Sequence, residues 1–112
     1  MTPTFKTVHV GGRLNVNPEE IIFLQADINY TRVFFTDGKS KIVATNLGKL
    51  ENRFANEGFF RPNKSYIVNL KHVSRFLHEE QQAQIMMSND VEIHISRRKV
   101  LAFSKRINQR TI

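Results

Sequence analysis

Cysteine and tryptophan are both missing from this 112-residue chain. Without cysteine there is no disulfide framework and no thiolate chemistry, which fits a reducing compartment. No apolar run approaches the roughly 20 residues needed to span a bilayer. The first residues, Met1-Thr2-Pro3-Thr4-Phe5-Lys6, lack the apolar stretch of a signal peptide. A soluble, cytoplasmic protein is therefore the expectation. There is no internal repeat, linker or low-complexity segment, so residues 1–112 are read as a single domain.

Catalytic and metal-binding patterns are also wanting. His9, His72, His78 and His94 show no metal-ligand spacing. His78-Glu79-Glu80 lacks the second histidine of a zinc-protease helix, and Lys64-Ser65 lacks the glycines that precede the end of a phosphate-binding loop. No paired carboxylates stand out. The expectation is a binding protein rather than an enzyme, with no cofactor and no metal.

Acidic residues are the scarce charge: 10 Asp and Glu stand against 17 Lys and Arg, a net charge of +7. The surplus is uneven. Residues 1–56 carry 7 basic and 5 acidic side chains, whereas residues 57–112 carry 10 and 5. A basic half on a small domain points to a polyanionic partner, nucleic acid first among them. A merely solvated surface is the plainer alternative.

What is present is strand chemistry. Nine Phe and many Ile and Val supply a core. Phe5–Val10, Gly11-Gly12 and Arg13–Val16 read as a hairpin around a glycine turn. Asn17-Pro18-Glu19-Glu20 suits one helical turn. Ile21–Leu24 reads as a strand buried on both faces, with Gln25–Asn29 interrupting it. Tyr30–Thr36 and Ser40–Ala44 flank an Asp37-Gly38 turn. Val73–Leu77, Ala83–Met87 and Val91–Ile95 are further strands, with Glu79–Gln82 and Ser88–Asp90 as turns. Thr45 or Asn46 can cap a helix whose stripe is Leu47, Leu50 and Phe54, and Gly58 can end it. Ser96 can cap a second helix, with Val100, Phe103 and Ile107 as its stripe. The pattern predicts a mainly antiparallel β fold with one or two short helices.

Two basic stretches break this regularity. In Phe60-Arg61-Pro62-Asn63-Lys64-Ser65-Tyr66-Ile67-Val68-Asn69-Leu70, a polar segment over Arg61–Ser65 leads into a strand over Tyr66–Leu70. Such a loop presents Arg61, Asn63 and Lys64 at the mouth of a packed strand; an ordinary solvated hairpin loop reads the same way. Lys105, Arg106 and Arg110 suit the C-terminal end of the last helix, but Arg97-Arg98-Lys99 stand at its start, where cations oppose the helix dipole. A phosphate docked there would relieve the conflict. Asn63 and Arg98 lie outside both apolar stripes, so replacing either should leave the fold intact.

These segments resemble a known family. Ile22–Tyr30, Phe60–Asn69 and Ile95-Ser96-Arg97-Arg98-Lys99 are similar, in order and spacing, to three signature segments of the LytTR DNA-binding domain of the LytR/AgrA family. The similarity runs from about Phe5 to Ile107. It implies an elongated stack of small antiparallel sheets with one or two short helices. It also implies sequence-specific binding of double-stranded DNA and bacterial transcription regulation, usually as the output of a two-component response regulator.

Loops would enter successive major grooves, on sites that are paired direct repeats able to hold a second copy of the domain. By position, the contacts implied are Asn29, Tyr30 and Thr31; Arg61, Asn63, Lys64 and Ser65; and Arg97, Arg98 and Lys99. The second segment commonly has His where this chain has Asn63, which predicts a changed sequence preference, since Asn can pair with adenine. No receiver domain is expected beside it in these 112 residues, so the resemblance leaves two forms open: an excised output domain or a standalone regulator. An RNA-binding role, with Tyr30 and Tyr66 stacking on bases, and a basic protein-interaction module are the alternatives.

Overall fold

The computed structural model describes residues 6–79 and 82–110, with side chains as far as Asn108. Phe5, the Glu80-Gln81 part of one expected turn, and the side chain of Arg110 lie outside the described residues.

The chain is built around β3 (Ile21–Asp27), the middle strand of a five-stranded antiparallel sheet. Apolar periodicity alone ends this strand at Leu24; the structure carries it on to Asp27. Pairing is the reason. Gln25, Ala26 and Asp27 face Arg32, Thr31 and Tyr30 on β4 (Tyr30–Phe35), and Gln25 also faces Tyr66 on β7 (Tyr66–Asn69). Backbone groups with partners on both sides hold polar residues in a strand as firmly as apolar ones. β5 (Ser40–Val43) and β6 (Phe59–Asn63) form the sheet's edges. Pro62 is buried in that edge strand, at a slip of register between Phe60 and Asn63, where its missing N–H costs no ladder bond. The polar stretch over Arg61–Ser65 is thus mostly strand, and only Lys64 and Ser65 make the turn.

Each face of this sheet is covered. The hairpin of β1 (Val8–Gly11) and β2 (Leu14–Val16) packs on one face together with α1 (Leu47–Arg53). The other face meets a three-stranded sheet, β8 (Val73–Glu79), β9 (Gln82–Met87) and β10 (Glu92–Ile95), and α2 (Val100–Arg110). A bulge in β3, where Ile21 faces Phe35 but Phe23 faces Phe34, splits the apolar run between the faces. Ile21 and Leu24 enter one core with Val10, Leu50 and Phe54. Ile22 and Phe23 enter the other with Val68, Ile85, Ile93 and Phe103. The result is mostly β, a stack of small antiparallel sheets with two helices.

Of the two helix caps read from the sequence, one forms and one does not. Asn17 accepts from the Glu19 N–H at 3.0 Å over the single turn Pro18–Glu20. Asn46, rather than Thr45, caps α1, accepting from Lys49 N–H at 2.9 Å. Ser96 does not cap: its side chain makes no such bond, and Arg97–Lys99 form a tight 3-10 turn before α2 opens at Val100. The expected stripes face the cores all the same, buried except for the half-buried Val100, with Phe54 just past the end of α1. Phe103 on α2 meets Phe60 and Phe76 edge-on at 5.5 and 5.0 Å between ring centres.

Burial separates structural from dispensable apolar groups. Phe54→Ala should lower the unfolding free energy by about 3–5 kcal/mol, as a core truncation. Ile42→Ala, on the half-exposed face of β5, should change it by no more than about 0.5 kcal/mol. Urea titrations of both variants check this; equal losses would show that the core has been misplaced.

Candidate nucleic-acid interface

The three segments singled out in the sequence meet at one end of the molecule, and the contacts that join them are specific. The β3–β4 hairpin closes at Asp27 and Tyr30, leaving Ile28 and Asn29 as its tip. The β6–β7 hairpin closes at Asn63 and Tyr66, leaving Lys64 and Ser65. These hairpins are neighbours: the Ala26 N–H donates to the Ser65 carbonyl at 2.8 Å, and Gln25 Nε2 donates to the Tyr66 hydroxyl at 2.9 Å. The run from β10 into α2 joins them, because the Ser96 N–H donates to the Pro62 carbonyl at 2.9 Å.

Asn63 is the knot of this arrangement. Its Oδ1 accepts from the N–H groups of Ser65 and Tyr66, at 2.7 and 3.1 Å, folding the turn over its own side chain. Its Nδ2 donates to the His94 carbonyl at 2.6 Å, tying that turn to β10. Arg61 acts as a second brace. Nε and Nη2 donate to the Asn63 and Lys64 carbonyls at 3.3 and 2.9 Å, while Nη1 pairs with Glu51 at 3.0 Å. An Arg so engaged is rigid, since its planar fork is matched on three sides.

The remaining polar groups are free to face solvent. Asn29, Tyr30, Lys64, Ser65, Arg97 and Arg98 are exposed. Lys99 is partly covered, with its ammonium 6.0 Å from the centre of the Phe60 ring. Arg61, Asn63, Lys64, Ser96, Arg98 and Lys99 line one open cleft of about 310 Å³ together with Glu51. Glu51 is the cleft's carboxylate, and Arg61 already occupies it. Among the described residues Lys64, Arg97, Arg98 and Lys99 have no carboxylate partner. A concave surface with this excess of cations focuses positive potential.

Thr31 does not join the others. It is fully buried, and its hydroxyl donates to the Thr45 carbonyl at 2.7 Å. It alternates with Val33 along β4, both pointing into the core beneath α1. That alternation was the sequence signal against a surface role.

A family model described as the LytTr DNA-binding domain matches residues 11–108. The chain belongs to that family. Among solved structures, the domain is similar to the LytTr DNA-binding domain of a Bacillus cereus protein described as a methyl-accepting/DNA response regulator. The likeness has a TM-score of 0.74 at 19% identity, covering 95% of this chain and 98% of that one. At that identity the likeness carries the fold. No curated protein sequence matches the chain. Among the described residues of this LytTr domain no helix is long and apolar enough to cross a membrane.

Several participants escaped sequence reasoning. Glu51 comes from α1, ten residues before Arg61, and no local spacing announces their pairing. The His94 carbonyl is a backbone group, 31 residues from Asn63. Gln25 carried a strand-breaking reading, yet it positions Tyr66. The expectation that replacing Asn63 leaves the fold intact gains a stability cost from these contacts. Asn63→Ala removes three hydrogen bonds, of which the one from the Tyr66 N–H is partly buried, so it should cost about 1–3 kcal/mol in urea unfolding. Lys64→Ala, at the exposed tip of the same turn, should stay within about 0.5 kcal/mol. Equal effects would mean that Asn63 is not the brace.

Proposed function

We propose that this LytTr domain binds double-stranded DNA sequence-specifically, through loops in the major groove, and so regulates transcription as the output of a response regulator or as a standalone regulator. One observation carries the reading: the β6–β7 turn and the run from β10 into α2, far apart in sequence, are fastened together so that Lys64, Arg98 and Lys99 line one cleft without a free carboxylate. Cations held apart from their counter-ions are matched to phosphates, whose contacts dominate affinity.

The site residues divide by what they do. Lys64, Arg97, Arg98 and Lys99 supply charge and reach, with Arg98 a candidate for paired contacts to guanine. Asn29, Tyr30 and Ser65 offer hydrogen-bonding groups from the two adjoining hairpin tips. Arg61 and Asn63 are positioning residues, because their polar atoms are already engaged within the protein. Asn63 is then not an adenine reader. A sheet-face RNA mode fits less well: Tyr66 packs edge-on against Phe23 at 5.6 Å and holds Gln25, so it is not open for stacking.

Selection of duplexes from a random library with the purified domain tests the reading, with enrichment of paired direct repeats expected. If all four unpartnered cations contact phosphates, log affinity should fall with log salt at a slope of about −3.6, or 0.9 per contact. Arg98→Ala should weaken binding to the selected site by about 1–3 kcal/mol with little change in stability. A nearly flat salt response would overturn groove binding.

Two copies on paired repeats should bind cooperatively only on one face of the duplex, since even small contacts count at high local concentration. Inserting about 5 base pairs, half a helical turn, between repeats should abolish that cooperativity. Equal per-site affinity on one repeat, two repeats and shifted repeats would show that the copies act independently.

A further inference from the structure

The tip of the β3–β4 hairpin carries a residue that neither the fold nor the cations explain. Ile28 has a φ of 54°. The left-handed region is the domain of glycine, with Asn and Asp as occasional tenants; for a β-branched side chain it is an outlier. The hairpin has two tip residues, and only the first has positive φ. That is the pattern of a turn whose first central position ordinarily takes glycine. Asn29, a residue tolerant of this backbone, stands next door, yet the strain falls on the isoleucine. Nor is Ile28 held there by packing. It is 94% exposed, ahead of Leu101 at 68%, Tyr30 and Ile42 at 52% and Leu77 at 37% among the exposed large apolar residues. A side chain that is strained on its backbone and unburied has no stabilising role in the free protein. Backbone strain held in place by its surroundings tends to accompany binding sites.

Position narrows what Ile28 could meet. The strand below the tip is bonded through Ala26 to Ser65 in the turn that also carries Lys64. The apolar group therefore stands beside the cationic cleft, next to the exposed Asn29 and Tyr30. On the major-groove edge of DNA the bases present hydrogen-bonding groups and a single apolar one, the 5-methyl of thymine. We propose that Ile28 is a specificity-determining residue that packs on a thymine 5-methyl group. This rests on the major-groove reading above and gives it a base identity. In the contact, the strained turn projects the branched side chain toward the bases, while the neighbouring cations hold the backbone of the duplex. The favourable burial that is absent in the free protein then occurs on the DNA.

The test replaces each thymine of the selected duplex, one at a time, with deoxyuridine, which removes the methyl and leaves every base-pair hydrogen bond in place. Wild-type protein should lose about fourfold in affinity at one thymine per half-site, the factor that burying a methyl group is worth. Ile28→Ala should bind the unmodified duplex more weakly and be indifferent to deoxyuridine at that same position. Ile28→Gly should lose the same discrimination while melting at an equal or higher temperature, because glycine relieves the strain. That result separates lost recognition from lost fold.

Equal wild-type affinity for thymine and deoxyuridine duplexes at every position would overturn the proposal. So would full discrimination in Ile28→Ala. In either of those cases, salt-dependent preference for the selected duplex over a scrambled one would leave the DNA-binding reading standing. Absence of that preference in the wild type would remove both.

Discussion

Four consecutive apolar residues on β3 decide how the domain is assembled. In an ordinary strand Ile21, Ile22, Phe23 and Leu24 would alternate strictly between faces. The bulge against Phe34 and Phe35 instead sends the outer two to one core and the inner two to the other. The five-stranded sheet is thereby apolar on both sides and must be covered on both. On one side a hairpin and α1 do this; on the other, a second sheet and α2. Each cover completes its core only against β3 and its neighbours. The hairpin has two short strands, which are marginal alone in water. Both therefore depend on β3, and the stack has the central strand as its shared interior.

That dependence also places the interface. β3 runs directly into the hairpin that ends at Ile28 and Asn29, and it pairs with β7, which emerges from the Lys64-Ser65 turn. Two exposed tips are thus set side by side by strands that cannot move without opening a core. The third segment arrives from the second sheet. It is joined by polar contacts, the bonds from Asn63 to the His94 carbonyl and from Ser96 to the Pro62 carbonyl. Rigid presentation of recognition groups lowers the ordering cost of binding, because the loops need not be frozen by the partner.

Legibility followed the range of the contact. The single turn at Asn17–Glu20, the cap by Asn46, the turn at Asp37-Gly38 and the two helical stripes are set by residues a few positions apart, and they were visible in the sequence. The half of Asn63 chemistry that folds its own turn is equally local, since an Asn side chain bonding two residues ahead is a common habit, but the presented-loop reading passed over it. The other half needs β10, and no spacing carries that. The extension of β3 through Gln25–Asp27 was hidden for the same reason: polar residues stay in a strand when neighbours on both sides satisfy their backbone. Thr31 was readable in principle, being two residues from Val33 on an alternating strand. A signature segment drew it to the surface because motifs record sequence positions and not the direction of side chains. The 3-10 turn at Arg97–Lys99 was misread as the start of the helix because Ser96 has the right chemistry for a cap, while the amide it would have accepted from is arranged otherwise.

The division of labour between charges follows from this geometry. Arg61 and Arg98 are the same residue type, and sequence alone ranks them together. One donates to two carbonyls and a carboxylate inside the protein; the other stands exposed in the cleft. Glu51 matters here as much as any cation. By engaging Arg61 it fixes the brace and removes the cleft's negative charge from competition with an incoming phosphate. The clustered cations left over repel one another, most strongly within the roughly 8 Å screening length of physiological salt. Such repulsion weakens the free domain and is relieved when a polyanion docks, so part of the cost of gathering Lys64, Arg98 and Lys99 is returned only in the complex. Strain at Ile28 has the same logic in apolar form. Both are features that the free fold tolerates rather than needs, held by a sheet whose two buried faces leave the strands beneath them no other conformation.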